Sequence, residues 1–180
     1  RIKYLVNHYY LPVVVSETEK IDYLKHIINV DSEVRFIEQL EEYLTNSDNI
    51  FSQFDWWMFS KLDQTLDEVF IPYYDPKENN IANFKPDFIF WLQKGTHYFI
   101  LFVDPKGTAH TSYQHKVEGY KNIFENKVFN YNEYKISVFL QLYTRNIADV
   151  AVEYRKYWFD NFTDIGKKLL NSIFDETLGS

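Results

Sequence analysis

No cysteine occurs among the 180 residues. That excludes disulfides and thiolate metal sites and allows a reducing compartment. Glycine and proline are scarce, five of each. No Gly-rich phosphate loop is present, so an ATP site is not expected within the chain. No internal linker, repeat or disordered tract stands out. Long apolar runs are missing too: Val13-Val14-Val15 is too short for a membrane span or a signal peptide, which points to a cytoplasmic protein. Five histidines (His8, His26, His97, His110 and His115) show no zinc-like spacing and read as hydrogen-bonded or exposed residues. Positive charge is in short supply, with 19 Lys and Arg against 26 Asp and Glu and a net charge of −7. The deficit is uneven. Residues 1–84 hold 7 basic and 15 acidic residues, residues 85–127 hold 6 and 4, and residues 128–180 hold 6 and 7. The one basic stretch is too weakly charged to grip DNA alone, because nonspecific affinity rests on many phosphate contacts. The chain opens on Arg1 rather than Met, as a piece of a longer or processed protein would.

What the chain does have is aromatic mass: 19% aromatic residues, including 16 Phe and 15 Tyr. That suits a densely packed core in a single domain over residues 1–180. The most informative segment runs Phe84-Lys85-Pro86-Asp87-Phe88-Ile89-Phe90-Trp91-Leu92, then a Gln-Lys-Gly-Thr turn, then His97-Tyr98-Phe99-Ile100-Leu101-Phe102-Val103-Asp104-Pro105-Lys106-Gly107. Two apolar strands flank a short turn, and an aspartate stands at the outer end of each. Strand alternation puts Asp87 with Ile89 and Trp91, and puts Asp104 with Ile100, Phe102 and Lys106. A tight turn centred on Lys94-Gly95 pairs Asp87 with Phe102 and makes it diagonal to Asp104 on one face, at roughly 7–8 Å. An odd-length loop would separate the two aspartates. Two carboxylates so placed suit a divalent cation, and a cation suits phosphodiester cleavage because it neutralises charge on the phosphoryl oxygens. On geometry alone, two strand-end turn formers remain an equal reading.

Residues 31–45 predict a helix whose stripe is Glu33, Ile37, Leu40 and Leu44. Glu33 thus has two readings: a buried carboxylate that needs a partner, or a first-turn acid favoured by the helix dipole. Residues 110–127 predict a second helix with Tyr113, Val117, Tyr120 and Phe124 on its apolar face. Lys116 is the one charge tucked toward that face, while Gln114 and Lys121 share a flank. All three are candidate phosphate contacts, set against an ordinary solvated face with snorkelling lysines. Residues 134–143 predict a buried strand joined to the hairpin by a helical crossover, as parallel pairing requires. Residues 2–15 fit two short strands or an extended arm around Asn7-His8; a strand is expected at 70–74, helices at 17–29 and 148–174, and a loop at 75–80. Residues 53–69 fit either type of element. The fold class is α/β, a central mixed sheet flanked by helices.

The sequence Pro86-Asp87, an apolar hairpin and Asp104-Pro105-Lys106 resembles the signature of the PD-(D/E)XK nuclease superfamily, with Asp in the third position and Pro as X. The resemblance covers about residues 30–145, and its phrasing is most similar to the C-terminal endonuclease domain of type III restriction-type helicase subunits. It implies a restriction-endonuclease-like core and a magnesium-dependent endonuclease acting on DNA, with Mn²⁺ able to substitute. It assigns Asp87, Asp104 and the Pro105 carbonyl to the metal, Lys106 to orienting the water, and Glu33 to the shell directly or through water. It also implies a helicase or translocase region and a modification subunit as partners, with no membrane involved. The rival expectation is a nuclease fold kept as an inactive module for DNA contact or subunit docking.

Overall fold

The computed structural model describes residues 2–5, 13–16, 27–28, 30–62, 68–105, 113–163 and 165–166. A small three-stranded sheet comprises β1 (Ile2–Leu5), β2 (Val13–Ser16) and β3 (Ile27–Ile28). β1 and β2 are antiparallel, and β2 and β3 are parallel. Of the two readings for residues 2–15, the structure shows the short strands. The helix expected at 17–29 is corrected at its end, where residues 27–28 are extended; residues 17–26 and 29 lie outside the described residues.

The helix α1 (Asp31–Leu44) follows, with Asp31 and Glu33 in its first turn, where the helix dipole favours negative charge. Glu33, Phe36, Ile37 and Leu40 form its buried stripe. A 3₁₀ turn (Ile50–Gln53) leads into β4 (Trp56–Lys61). Next come the hairpin β5 (Ile71–Asp75) and β6 (Asn80–Phe84), then β7 (Phe88–Lys94) and β8 (His97–Asp104). After β8 the chain forms α2 (Tyr113–Ile123), β9 (Val128–Tyr131), β10 (Tyr134–Tyr143), two 3₁₀ turns and the short β11 (Trp158–Phe159).

The main sheet has the order β11-β10-β8-β7-β4, with β9 paired to β10. β7 runs antiparallel to both β4 and β8, and β10 runs parallel to β8 on the far side of the α2 crossover. The chain is therefore a mixed α/β protein with a central mixed sheet and few helices. Both sheet faces are covered, so the central strands read as continuous apolar runs. Phe88, Phe90 and Leu92 of β7, with Phe99, Leu101 and Val103 of β8, pack with Phe36, Ile37 and Leu40 of α1. Ile89 and Phe102 face the opposite way, toward Val117 and Tyr120 of α2.

Several expectations change. The β7–β8 turn is centred on Gly95 and Thr96 rather than Lys94-Gly95, because Lys94 pairs with His97. Gly95 has φ +58°, and glycine first in a two-residue hairpin loop is what a type II′ turn prefers. The loop expected at 75–80 is the tight end of the β5–β6 hairpin, with Asn79 in the left-handed region. Asparagine tolerates that conformation better than most residues. The helix expected over 148–174 gives way at its start to 3₁₀ turns at Ile147–Asp149 and Val152–Tyr157 and to β11; residues 162, 163, 165 and 166 are helical, and residues 164 and 167–174 lie outside the described residues. Its apolar residues fill both cores instead: Val150, Tyr157 and Trp158 on the α2 side, Phe159, Phe162 and Ile165 on the α1 side.

The end of α2 is fastened by Glu125. Its carboxylate accepts from Lys156 Nζ at 2.8 Å and from Tyr157 Oη at 2.7 Å. Burial pushes the Glu125 carboxyl up, but the bonds from Lys156 and Tyr157 and the Lys156 and Lys121 charges outweigh it, so the net shift is below the usual 4.5. Burial and Glu125 together raise the Tyr157 hydroxyl above its usual 10.0. A carboxyl whose folded pKa is lowered contributes stability that is complete above its unfolded pKa and is lost as pH falls through the folded one. Thermal melts from about pH 6 down to about pH 3 should therefore show a smaller acid-induced loss in Glu125→Gln than in wild type. Parallel curves would remove Glu125 from the acid response.

Candidate active site

The register of the β7–β8 hairpin decides where the two aspartates fall. Phe88 pairs with Val103. The ladder ends at that pair, with Asp87 one residue before β7 and Asp104 closing β8, so the register sets the two aspartates toward each other rather than diagonally. Both loop centres contain two residues, so the shared face survives the correction: alternation leaves Asp87 beside Ile89 and Asp104 beside Phe102, on the side of α2. Asp87 is 2% exposed and Asp104 4%. The backbone holds them firmly. Leu62 N–H donates to the Asp87 carbonyl at 2.7 Å, tying it to the end of β4, and Asp104 pairs with Leu142 of β10. Pro105 is buried directly after Asp104. Lys106 lies outside the described residues.

Glu33 is also buried, at 2%. The exposed first-turn reading therefore gives way to the buried one. Its partner is Lys61 Nζ, in a close ion pair. Lys61 ends β4 opposite Phe88 and shares a face with Trp57 and Phe59, which pack in the α1 core. The Glu33–Lys61 pair thus sits on the α1 side of the sheet, while the two aspartates belong to the α2 side. Among the described residues, no group of three or more His, Asp or Glu is arranged to hold a metal ion. Lys61 was not singled out from the sequence. The signal was the alternation Trp57, Phe59, Lys61, hidden because residues 53–69 fit either type of element.

The candidate phosphate contacts all lie on α2. Lys116 Nζ is 4.7 Å from the Phe84 ring centroid, a cation–π contact that places its stem against the packed side. Lys121 Nζ is 2.8 Å from Glu118 Oε1. Gln114 is half-buried, one residue into the helix. None of the three is adjacent in sequence to the aspartates, and the crossover segment that links them lies outside the described residues. His97 Nε2 lies 2.9 Å from Ser137 Oγ, but Ser137 is 1% exposed and closed to a substrate. That pair cross-links β8 to β10, in line with the hydrogen-bonded role expected for the histidines.

The YagJ family model matches residues 24–155. The chain belongs to the YagJ family. The YagJ match takes in α1, both aspartates, Lys61, α2 and β10, so the elements that carry the candidate site all fall inside the family unit. Neither a curated protein nor a solved structure matches the chain significantly.

Proposed function

We propose that this YagJ-family chain is a metal-dependent endonuclease of the PD-(D/E)XK type that hydrolyses DNA phosphodiester bonds. The observation that carries this reading is the burial of two carboxylates, Asp87 and Asp104, at the adjoining ends of two paired strands. Buried carboxylates gather where a protein needs a charged site. The element order gives support: α1, the antiparallel set β4, β7 and β8, then α2, then β10 parallel to β8. That is the sequence of elements expected of a restriction-endonuclease-like core.

The donor set fits a hard cation. Asp87, Asp104 and the Pro105 carbonyl offer oxygens only, the ligands that Mg²⁺ and Mn²⁺ take. The ion would neutralise charge on the phosphoryl oxygens and lower the pKa of a bound water. Asp87 and Asp104 would hold it from paired strand ends, which the sheet keeps in fixed register. Lys106 is assigned the orientation of the attacking water. The resemblance also gives Glu33 a place in the shell, directly or through water, whereas its pairing with Lys61 on the α1 side of the sheet favours a structural role. We further infer that a helicase or translocase region of a longer protein, with a modification subunit, brings most of the DNA affinity, because the basic excess of residues 85–127 is small.

The direct test is nicking or linearisation of plasmid DNA by the full chain with Mg²⁺ or Mn²⁺, beside a calorimetric titration with Mn²⁺. Metal-dependent cleavage supports the reading. Neither cleavage nor saturable binding would transfer the assignment to a non-catalytic module for DNA contact or subunit docking. One observation favours that second reading: Trp56, Met58, Phe129 and Tyr131 are exposed apolar side chains of the main sheet, as a contact surface would present.

A further inference from the structure

The β5–β6 hairpin and α2 enclose a groove of about 410 Å³, within the usual size of small-molecule sites. Its lining includes neither Asp87 nor Asp104. Gly119 forms the floor. A Cβ there would meet the Pro72 carbonyl oxygen at 2.5 Å and Tyr73 Cβ at 2.7 Å, so only glycine lets the hairpin approach the helix this closely. Tyr73, Ile81 and Ile123 supply apolar walls. His115, Glu118 and Asn122 line the helix side at i, i+3 and i+7, one face of α2.

The distribution of charge is what selects a ligand. No lysine or arginine is among the described lining residues. The α2 lysines stand at the flanks instead, Lys116 over the Phe84 ring and Lys121 beside Glu118. A phosphate inside the groove would meet the Glu118 carboxylate, whose charge is matched by a lysine at the flank rather than by one in the lining, which is unfavourable. A planar ring with a hydrogen-bonding edge meets the opposite conditions: apolar walls for its faces, and donors and acceptors for its edge. Asn122 offers both a donor and an acceptor, the pairing an adenine edge needs, and a glutamate accepts from an exocyclic amine. Glu118 already accepts from Lys121 and Tyr154, and a carboxylate's two oxygens have acceptor positions for a further donor.

We propose that this groove takes the base of an unpaired or extruded nucleotide, preferring amine-bearing bases, with its phosphates left outside near Lys116 and Lys121. The inference rests on the nuclease reading for its substrate and adds a base-reading site to it.

The test uses the full chain in EDTA, where binding is read without cleavage. The probes are adenosine, a fluorescein-labelled adenine-rich single strand, and the same strand with abasic positions. Adenosine should shift the methyl resonances of Ile81 and Ile123. The abasic strand should bind about tenfold more weakly than the intact one, the scale of one or two lost base stacks. Asn122→Ala should weaken the intact strand about tenfold and leave the abasic strand unchanged. Asn122 is exposed, so this variant avoids the folding risk of Gly119→Ala. Equal binding of intact and abasic strands, or no groove response to adenosine, overturns the base site. Failure of the two readings separates cleanly. A chain that cuts DNA without a groove response loses only the base site. A chain whose groove binds adenosine but which cuts nothing with Mg²⁺ or Mn²⁺ loses only the nuclease reading.

Discussion

Asp104→Asn should lower DNA cleavage at least about 100-fold, since changes merely to the residues behind a metal ligand already cost about 10–100-fold. Saturable Mn²⁺ binding should disappear with it. The substitution keeps the side chain's shape and its capacity to accept hydrogen bonds while removing the charge that a hard cation requires. Asp104 is 4% exposed in the last position of β8, paired with Leu142 and adjoining Asp87 through the hairpin ladder. Removing one of two neighbouring carboxylates also relieves repulsion between like charges. The fold should therefore persist, with a melting temperature in chelator within about 4 °C of wild type, the scale of 1 kcal/mol in a chain this long. Undiminished cleavage in this variant would sink the assignment of Asp104 as a ligand. Lost cleavage accompanied by a collapsed melting transition would show a structural role instead.

The second large effect belongs to Lys61. Lys61→Met keeps most of the aliphatic stem and removes the charge, so the packing it provides beside Phe59 is largely retained. What changes is Glu33, a carboxylate 2% exposed on the buried stripe of α1, which loses its lysine counter-ion. Breaking a buried ion pair from one side costs about 3–5 kcal/mol, and the 20% exposure of the Lys61 side chain places this pair near the lower end. Urea unfolding should show a loss of roughly 3 kcal/mol at neutral pH. Glu33→Gln combined with Lys61→Met should recover much of the loss, because neither partner is then charged. A single variant within about 0.5 kcal/mol of wild type would mean that the pair is as weak as a surface salt bridge. Cleavage in Glu33→Gln then separates a metal-shell role from a purely structural one: a structural glutamate leaves turnover per folded molecule unchanged.

Much of the frame was legible because it rests on local rules. The stripe of α1, the apolar hairpin of residues 88–104, the strand at 134–143 and its parallel crossover all follow from periodicities of 3.6 and 2. The shared face of Asp87 and Asp104 was legible for the same reason, since it depends only on the parity of the loop. The stretch 148–159 was misread because its apolar residues match a helical stripe. They are apportioned instead between two cores, with Trp158 facing α2 and Phe159 facing α1, as alternation in a strand dictates.

The sequence by itself thus determined the α/β class, the motif hairpin and the pairing of acidic residues with strand ends, since side-chain alternation and turn chemistry act over a few neighbours. Only the tertiary structure decided the register that sets Asp87 and Asp104 toward each other, the choice of Lys61 as the partner of Glu33, and the groove that opens around Gly119. Those depend on which distant segments meet: Glu33 and Lys61 are separated by 28 positions, and no local pattern encodes which side of the sheet each reaches.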